Sequence, residues 1–314
     1  MITQLTDQRL VRARDERASQ LTDSSISLNT RKVYTSDLRR FMASGFKLPA
    51  APQDVINYLV EHCKALNPRT LQRHLHSLKF AHKINNYVDP TADKRVEQVL
   101  KGIFNTFGKP PKRAPPFTIE HMRAINSFYV EQHDNPCCPL KHPLRDNALL
   151  QLGFFGAFRR TEVVKIKFEH IEWKDEGIII LLPRSKGDQK AEGQSVAIPK
   201  VRGDLCPVSV LKQWLDESKI KSGYVFPNEY GSHIGDHRFY IVVKDGAKAI
   251  GLPKWNDYSG HSLRRGFATE AAKRGASLLA IQRQGRWVNI DTMAKYIEEG
   301  NCFNQNAGSV FDIS

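Results

Sequence analysis

The sequence has 314 residues, of which 40% are hydrophobic and 25% are charged, an ordinary composition for a globular chain of one or two domains. The charge is less ordinary, because 47 Lys and Arg against 33 Asp and Glu give a formal net charge of +14. Such a surplus favours polyanionic partners, nucleic acid above all. The longest purely aliphatic run, over 178–182, is far shorter than the roughly 20 residues of a membrane span. The first residues also lack the apolar core of a signal peptide, so we expect no membrane association.

The five cysteines contain no C-x-x-C pair, which argues against a zinc ribbon and a thioredoxin-type site. We therefore expect no metal centre, and free thiols in a reducing cytoplasm fit the sequence best.

The clearest boundary in the chain is the stretch 109–116, which holds four prolines and three cations. Prolines at this density exclude a helix interior and favour an extended, solvated spacer, although a long loop within one domain is an alternative. The sequence predicts five segments: a flexible arm over 1–26, a helical domain over 27–108, a linker over 109–117, a mixed domain over 118–300 and a tail over 301–314.

Before the linker, apolar residues at helical spacing predict four helices. Asn29 or Thr30 caps the first, Pro52 opens the second, Pro68 the third and Thr91 the fourth. Four helices in about 85 residues imply a small bundle.

After the linker, the pattern mixes helices with strands. Strand-like stretches over 171–173, 178–182 and 195–198, with a turn at 175–177, predict a small antiparallel sheet. Helices precede and follow it, so the fold class is α+β and mostly α. The predicted helices begin at Thr118 and run over 143–158, 207–220, 237–250, 262–274, 277–284 and 289–298.

Cations are concentrated in the helical region, where residues 1–108 carry 17 Lys or Arg against 10 Asp or Glu. Arg69 and Arg73 are four apart and share a helix face. Each of these side chains either contacts a DNA phosphate or belongs to a solvated helix face, and both interpretations stay open. The candidate DNA-binding residues, two of them in the linker, are Arg31, Lys32, Arg39, Arg40, Arg69, Arg73, Lys79, Lys83, Lys112 and Arg113.

Three patterns after the linker carry groups that can act on a phosphate. Arg159 and Glu162 are three apart and can pair on a helix. Lys186 lies in a turn between two strands, where its ammonium is a point charge with a movable proton. His261 and Arg264 are three apart at the predicted start of a helix, where free N–H groups favour anions. Singly, the first two also fit an ordinary structural ion pair and a charged turn.

A fourth pattern is Gly285-Arg286-Trp287, followed nine residues after the tryptophan by Tyr296. Taken alone, Trp287 is explained by core packing and Tyr296 by a buried phenol.

In this order and spacing, the patterns resemble the tyrosine recombinase (phage integrase) family over the whole chain past the linker. The helical domain looks like that family's core-binding domain, and the mixed domain like its catalytic domain. The resemblance implies a C-shaped clamp around duplex DNA that carries a specific recombination site. It also implies a homotetramer on two DNA sites that exchanges strands through a Holliday junction. No cofactor is implied, and accessory proteins are left open as partners.

The resemblance also implies the roles of individual residues. Arg159 and Arg264 match the two arginines that stabilise the phosphate, while their neighbours Arg160 and Arg265 are set aside. Tyr296 matches the nucleophile. The full set of matched catalytic residues is Arg159, Lys186, His261, Arg264, Trp287 and Tyr296, with Glu162 in support.

The remaining roles are less uniform across the family. Lys186 matches the lysine that protonates the leaving oxygen, with Lys190 as a close alternative. His261 takes the phenol proton or orients the phosphate. Trp287 stands where many members carry His and others carry Trp, and its single N–H suits positioning rather than proton transfer.

The expected function is therefore site-specific DNA strand cleavage and rejoining through a 3′-phosphotyrosine, for recombination or integration. A type IB topoisomerase, which relaxes DNA with a similar residue set, is one alternative. A DNA-binding regulator that kept the fold and lost cleavage is another. The tail over 301–314 is expected to pack either on a neighbouring subunit or on its own domain.

Overall fold

A computed structural model describes residues 26–135, 137, 142–183 and 193–301 of the protein. The chain divides into two compact units, with the boundary between Pro111 and Lys112. Lys186 and Lys190, nearly all of the expected N-terminal arm and nearly all of the expected tail lie outside the described residues.

The first unit is a helical bundle, as the apolar spacing predicts. Its residues Tyr58, Leu59 and Leu71 are fully buried in one apolar core. The helices of this unit are α1 (Leu28–Ala43), α2 (Pro52–His62), α3 (Pro68–Ile84) and α4 (Lys94–Phe107).

Local capping explains where these helices begin. Pro52 and Pro68 open α2 and α3, where a missing N–H has no consequence. The predicted start at Thr91 is wrong, because Pro90–Ala92 form a short 3-10 turn and α4 begins at Lys94. Asp93 caps α4 by accepting from the backbone N–H of Arg95 at 2.8 Å.

The first unit also buries a set of polar residues, here called the Asp37 cluster: Asp37, Tyr58, Arg73, His74 and Ser77. Arg73 donates to the Asp37 carboxylate from Nε at 2.9 Å and from Nη2 at 2.8 Å, and Ser77 Oγ donates at 2.9 Å. His74 Nε2 lies 3.2 Å from Oδ1 of Asp37, and Tyr58 Oη lies 2.7 Å from His74 Nδ1. Burial raises the pKa of Asp37, but the hydrogen bonds from Arg73 and Ser77 outweigh it and hold the pKa below its usual value.

The second unit combines helices with a three-stranded antiparallel sheet in the order β1-β2-β3, which confirms the predicted α+β class. Ile178 pairs with Ile198 and Ile180 with Val196, and all four side chains are buried. The elements are α5 (Ile119–Asp134), α6 (Pro143–Phe155), α7 (Arg160–Val163), β1 (Ile171–Trp173), β2 (Gly177–Leu182), β3 (Gln194–Pro199), α8 (Pro207–Ser218), α9 (Asp236–Ala249), α10 (Gly260–Lys273), α11 (Leu278–Gly285) and α12 (Ile290–Asn301).

Helix α6 runs through the middle of this unit and is buried along almost its whole length. It packs against α5, α8 and α10. Its buried polar side chains have hydrogen-bond partners within the core, as where Gln151 Nε2 donates to Asn126 Oδ1 of α5 at 2.8 Å. It ends at Phe155, earlier than predicted, because the chain turns at Gly156 and at Ala157, which has a φ of 44°. That turn leads directly into Arg159.

The end of the expected linker belongs to the second unit. Phe117 is fully buried there, and its N–H donates to the Ser262 carbonyl at 3.1 Å. Gly266 of α10 allows this approach, because a Cβ at that position would overlap the Phe117 carbonyl. Lys112 Nζ also lies 2.7 Å from Asp257 Oδ1.

Along the described segments, no helix combines the length and the hydropathy needed to cross a membrane.

Candidate active site

The predicted pair of Arg159 and Glu162 is present at the start of α7. Arg159 donates from its backbone N–H to Glu162 Oε2 at 2.9 Å and from Nη1 to Oε1 at 2.6 Å. The Arg159 side chain is 22% exposed, whereas that of Glu162 is only 3% exposed. The carboxylate therefore binds Arg159 from the buried side and leaves part of its guanidinium accessible to solvent.

Glu162 is shared with a second guanidinium, that of Arg286, whose Nη2 donates to Oε2 at 2.8 Å. The Arg286 side chain is 5% exposed, and its backbone carbonyl accepts from Arg159 Nη2 at 3.1 Å. Burial raises the pKa of Glu162, but the charge of Arg286 and the hydrogen bonds from Arg159 lower it below its usual value. The carboxylate is therefore ionised at neutral pH.

Arg264 lies on α10 and is 5% exposed. Its Nη1 donates to the Ala157 carbonyl, and its guanidinium carbon lies 4.1 Å from the ring centroid of Trp287. Burial lowers the pKa of Arg264 to about 9, with further lowering by the charges of Arg159 and Arg286. Arg264 remains protonated at neutral pH, so it adds a third positive charge beside one carboxylate.

Trp287 follows α11 and connects Arg264 to Tyr296. Its ring centroid lies 6.3 Å from that of Tyr296, in an edge-on arrangement. Gly285 is required for this position, because a Cβ there would overlap the indole. Tyr296 is half-buried on α12, and its backbone carbonyl accepts from Thr269 Oγ1 at 3.2 Å, which ties α12 to α10.

A polar cavity of about 530 Å³ opens beside Tyr296, and His261 lines it as well. Lys112 and Arg113 add two cations to its wall. Arg265, which the sequence comparison set aside, also lines it, with its guanidinium carbon 5.6 Å from the Tyr296 ring centroid. A larger cavity, of about 1030 Å³, lies beside β1 and α8, and none of the predicted site residues lines it.

The structure thus joins most of the predicted site. Arg159 pairs with Glu162, a second set of contacts runs from Arg264 through Trp287 to Tyr296, and His261 shares a cavity with Tyr296. The Ala157 carbonyl joins the two sets, because it accepts from Arg264 and from Arg286, which is bound to Glu162. Lys186 lies between β2 and β3, outside the described residues.

Sequence reasoning missed Arg286, which binds Glu162 from 124 residues away along the chain. A basic residue just after a predicted helix gives no local signal of such a partner, because an exposed cation is common there. No pattern in the sequence could have found it.

The predicted DNA-binding cations differ in exposure and in their carboxylate partners. Three of them face carboxylates: Arg73 lies 2.8 Å from Asp37, Lys79 lies 3.4 Å from Asp89, and Lys112 lies 2.7 Å from Asp257. Arg31 is half-buried. The remaining candidates, all exposed, are Lys32, Arg39, Arg40, Arg69, Lys83 and Arg113.

Comparison with known proteins gives a consistent result. The model of the phage integrase family matches residues 123–301, more than half of the chain. The integrase/recombinase XerD homolog of Selenomonas ruminantium is 31% identical over 308 residues, which cover 93% of this chain and 87% of that protein. Recombinase Cre of Escherichia phage P1 is 24% identical over 276 residues, or 79% of this chain and 76% of Cre.

Solved structures of low sequence identity share the fold. The XerH site-specific recombinase bound to its palindromic difH substrate aligns with a TM-score of 0.66 at 18% identity, covering 91% of this chain and 80% of XerH. A lambda integrase dimer bound to a core site aligns with a TM-score of 0.60 at 15% identity, covering 90% of this chain and 75% of that one. The chain belongs to the phage integrase family of tyrosine recombinases, and it is a site-specific DNA recombinase.

Proposed function

We propose that this recombinase cleaves and rejoins DNA strands through a 3′-phosphotyrosine formed on Tyr296, and so recombines or integrates DNA at specific sites. One observation carries the proposal furthest: two guanidiniums bind the single carboxylate of Glu162, a third, that of Arg264, adds its charge nearby, and Trp287 connects Arg264 to the ring of Tyr296. A phosphodiester is the anion that would balance the surplus charge.

Arg159 and Arg264 are the groups that we assign to the nonbridging oxygens of the scissile phosphate. Negative charge gathers on these oxygens in the transition state, and a guanidinium can bind two of them without losing its proton. The side chains are held before DNA arrives, Arg159 by Glu162 and Arg264 by the Ala157 carbonyl and Trp287. Donors fixed in advance stabilise developing charge without reorganising during the reaction.

In the proposed step, the Tyr296 oxygen attacks phosphorus in line, an O–P bond forms and the bond to the 5′ oxygen breaks. His261, which lines the same cavity as Tyr296, accepts the phenol proton or orients the phosphate. Lys186 protonates the departing 5′ oxygen, as the family resemblance implies. Rejoining reverses the step with the 5′-hydroxyl of another strand, and the covalent bond conserves the phosphodiester energy. The scheme therefore needs neither ATP nor a metal ion.

The proposed partner is double-stranded DNA with a specific recombination site. The net charge of +14 and the exposed cations of the helical unit support phosphate contacts, so binding should weaken strongly as salt rises. By analogy with the family, we propose a homotetramer on two DNA sites in the cytoplasm, with strands exchanged through a Holliday junction.

The test is a suicide duplex that carries the sequence which the protein selects from a random duplex library. A nick just 3′ of the scissile phosphate releases a short 5′-hydroxyl strand, so cleavage is trapped. The wild-type protein should give a protein–DNA adduct that survives SDS, and Tyr296→Phe should give none. Absence of the wild-type adduct, or its persistence in Tyr296→Phe, overturns the mechanism.

The same preparation separates the alternatives. Exchange between two intact duplexes that carry the selected site supports recombination. Relaxation of supercoiled plasmid without that site would indicate a topoisomerase, and site-specific binding without any adduct would indicate a regulator.

A further inference from the structure

Arg286 is a buried charged residue of the site that the proposed mechanism does not use. Its Nη2 binds Glu162 Oε2 at 2.8 Å, and its Nη1 donates to the carbonyls of Gln284 at 2.6 Å and Gly156 at 3.2 Å. Its own carbonyl accepts from Arg159 Nη2 at 3.1 Å. Backbone and side chain of one residue thus hold both members of the Arg159–Glu162 pair.

Arg286 occupies this place in an unfavourable backbone conformation. It is the C-cap of α11 with a φ of 55°, in the left-handed region that glycine enters more readily than other residues. Its guanidinium is also buried beside two other arginines, and burial lowers its pKa. Glycine would remove both disadvantages, so the side chain must contribute something that glycine cannot.

We propose that Arg286 is a positioning residue for strand cleavage, which holds Glu162 so that Arg159 stays available to the phosphate. The inference rests on the proposed function. A carboxylate has two oxygens, and when both are available it can bind two N–H groups of one guanidinium. Oε2 accepts from the Arg159 backbone N–H and from Arg286, so both of its lone pairs are used and the Arg159 side chain binds Glu162 through Nη1 alone.

The consequence concerns the donors that Arg159 offers to DNA. A guanidinium has five N–H groups. The Arg159 side chain commits one to Glu162 and one to the Arg286 carbonyl. Without the Arg286 side chain, Oε2 keeps only the Arg159 backbone N–H and has one acceptor position left, which can draw the Arg159 guanidinium into a two-pronged pair and away from the phosphate. The backbone of Arg286 also leads directly into Trp287, on which Arg264 stacks.

The chain offers a matched control for this hypothesis. Lys219 is the C-cap of α8, has a φ of 57° and is exposed. Lys219→Gly and Arg286→Gly therefore make the same backbone change, from a left-handed basic residue to glycine at a helix end. Only the second removes contacts to Glu162.

The experiment measures DNA affinity and the single-turnover cleavage rate on the suicide duplex. Lys219→Gly should match the wild type in both. Arg286→Gly should bind DNA as the wild type does and cleave about 10- to 100-fold more slowly, the usual effect of losing a residue that orients an active group. Arg286→Lys should be intermediate, because it keeps the charge beside Glu162 and loses the second arm of the guanidinium, which donates to the Gln284 and Gly156 carbonyls.

A second substrate separates positioning from folding. A methylphosphonate at the scissile position lacks the negative charge that Arg159 would neutralise. With this substrate, the cleavage rates of Arg286→Gly and the wild type should therefore differ by a smaller factor. A fraction of unfolded protein would instead slow both substrates by the same factor, and that outcome overturns the proposal. If Arg286→Gly does not fold, the same narrowing is measured with Arg286→Lys.

The outcomes distinguish the two claims. No adduct from the wild type defeats the proposed function. A wild-type adduct together with equal cleavage by Arg286→Gly and Lys219→Gly defeats the role of Arg286 alone.

Discussion

Each unit of the molecule buries a carboxylate against an arginine, yet the two clusters differ in their balance of charge. In the helical unit, Asp37 faces one guanidinium, that of Arg73, whose side chain is 47% exposed to water. In the second unit, Glu162 faces Arg159 and Arg286, and Arg264 adds a third positive charge nearby. The Asp37 cluster is neutral within itself, whereas the cluster around Glu162 has a surplus of two positive charges.

This difference separates a structural cluster from a functional one. A buried carboxylate with one well-bonded arginine and two further hydrogen-bonding groups needs nothing more. A buried surplus of positive charge is unfavourable in the free protein, as the lowered pKa values of Arg264 and Arg286 indicate. In the proposed mechanism the scissile phosphate relieves this surplus, so part of the DNA-binding energy would appear as charge stabilisation in the transition state.

Apart from the loss of the adduct in Tyr296→Phe, the largest effect is expected for Arg264→Lys. A lysine ammonium can neither stack on Trp287 as a plane nor bind two phosphate oxygens at once, so cleavage should slow by about 10²- to 10³-fold. Single-turnover cleavage of the suicide duplex measures it, with Arg274→Lys as a control at an exposed position just after α10. Equal rates for the two variants would mean that Arg264 is structural, like Arg73.

A smaller and different effect is expected for Asp37→Asn. Loss of the carboxylate should destabilise the helical unit by about 1–3 kcal/mol, toward the lower end because Arg73 is half exposed. Cleavage at saturating protein should not change. Hydrogen exchange over residues 28–107 measures the stability of this unit. Tryptophan fluorescence would not, because all four tryptophans lie in the second unit.

The control for Asp37→Asn is Asp93→Asn, because asparagine caps a helix about as well as aspartate. A strong fall in cleavage by fully bound Asp37→Asn would show that the Asp37 cluster takes part in the reaction.

The smallest effect is a pH dependence in the stability of the helical unit. Burial lowers the pKa of His74 below its usual value, despite the nearby charge of Asp37. The unfolded chain binds a proton at this histidine below about pH 6.5, while the folded chain resists it. The free energy of unfolding is therefore unaffected by His74 at higher pH, and it falls as the pH drops below about 6.5. Hydrogen exchange at pH 7.5 and 5.5 should show faster opening of α3 at the lower pH, and a smaller change in His74→Asn.

The parts of the molecule that could be predicted from the sequence are those governed by neighbours along the chain. Pro52 and Pro68 mark helix starts by their own covalent structure, and Arg159 meets Glu162 because residues three apart share a helix face. The predicted start of α4 was wrong because the Thr91 hydroxyl donates to Asp89 within the preceding 3-10 turn, while Asp93 accepts from the Arg95 N–H and caps the helix.

Long-range geometry accounts for what the sequence could not provide. Arg286 binds Glu162 only because α11 ends beside the turn at Ala157, which no local spacing encodes. Arg265 likewise reaches the cavity beside Tyr296 from the helix that also carries Arg264. The positions of both side chains in the site depend on how α10, α11 and α12 pack together.

The most direct test of the account is to map the covalent link itself. Wild-type protein trapped on the suicide duplex is digested with protease and nuclease, and the modified peptide is sequenced by mass spectrometry. We expect a nucleotide attached through its 3′ phosphate to Tyr296. Attachment to any other residue, or through a 5′ phosphate, would contradict it.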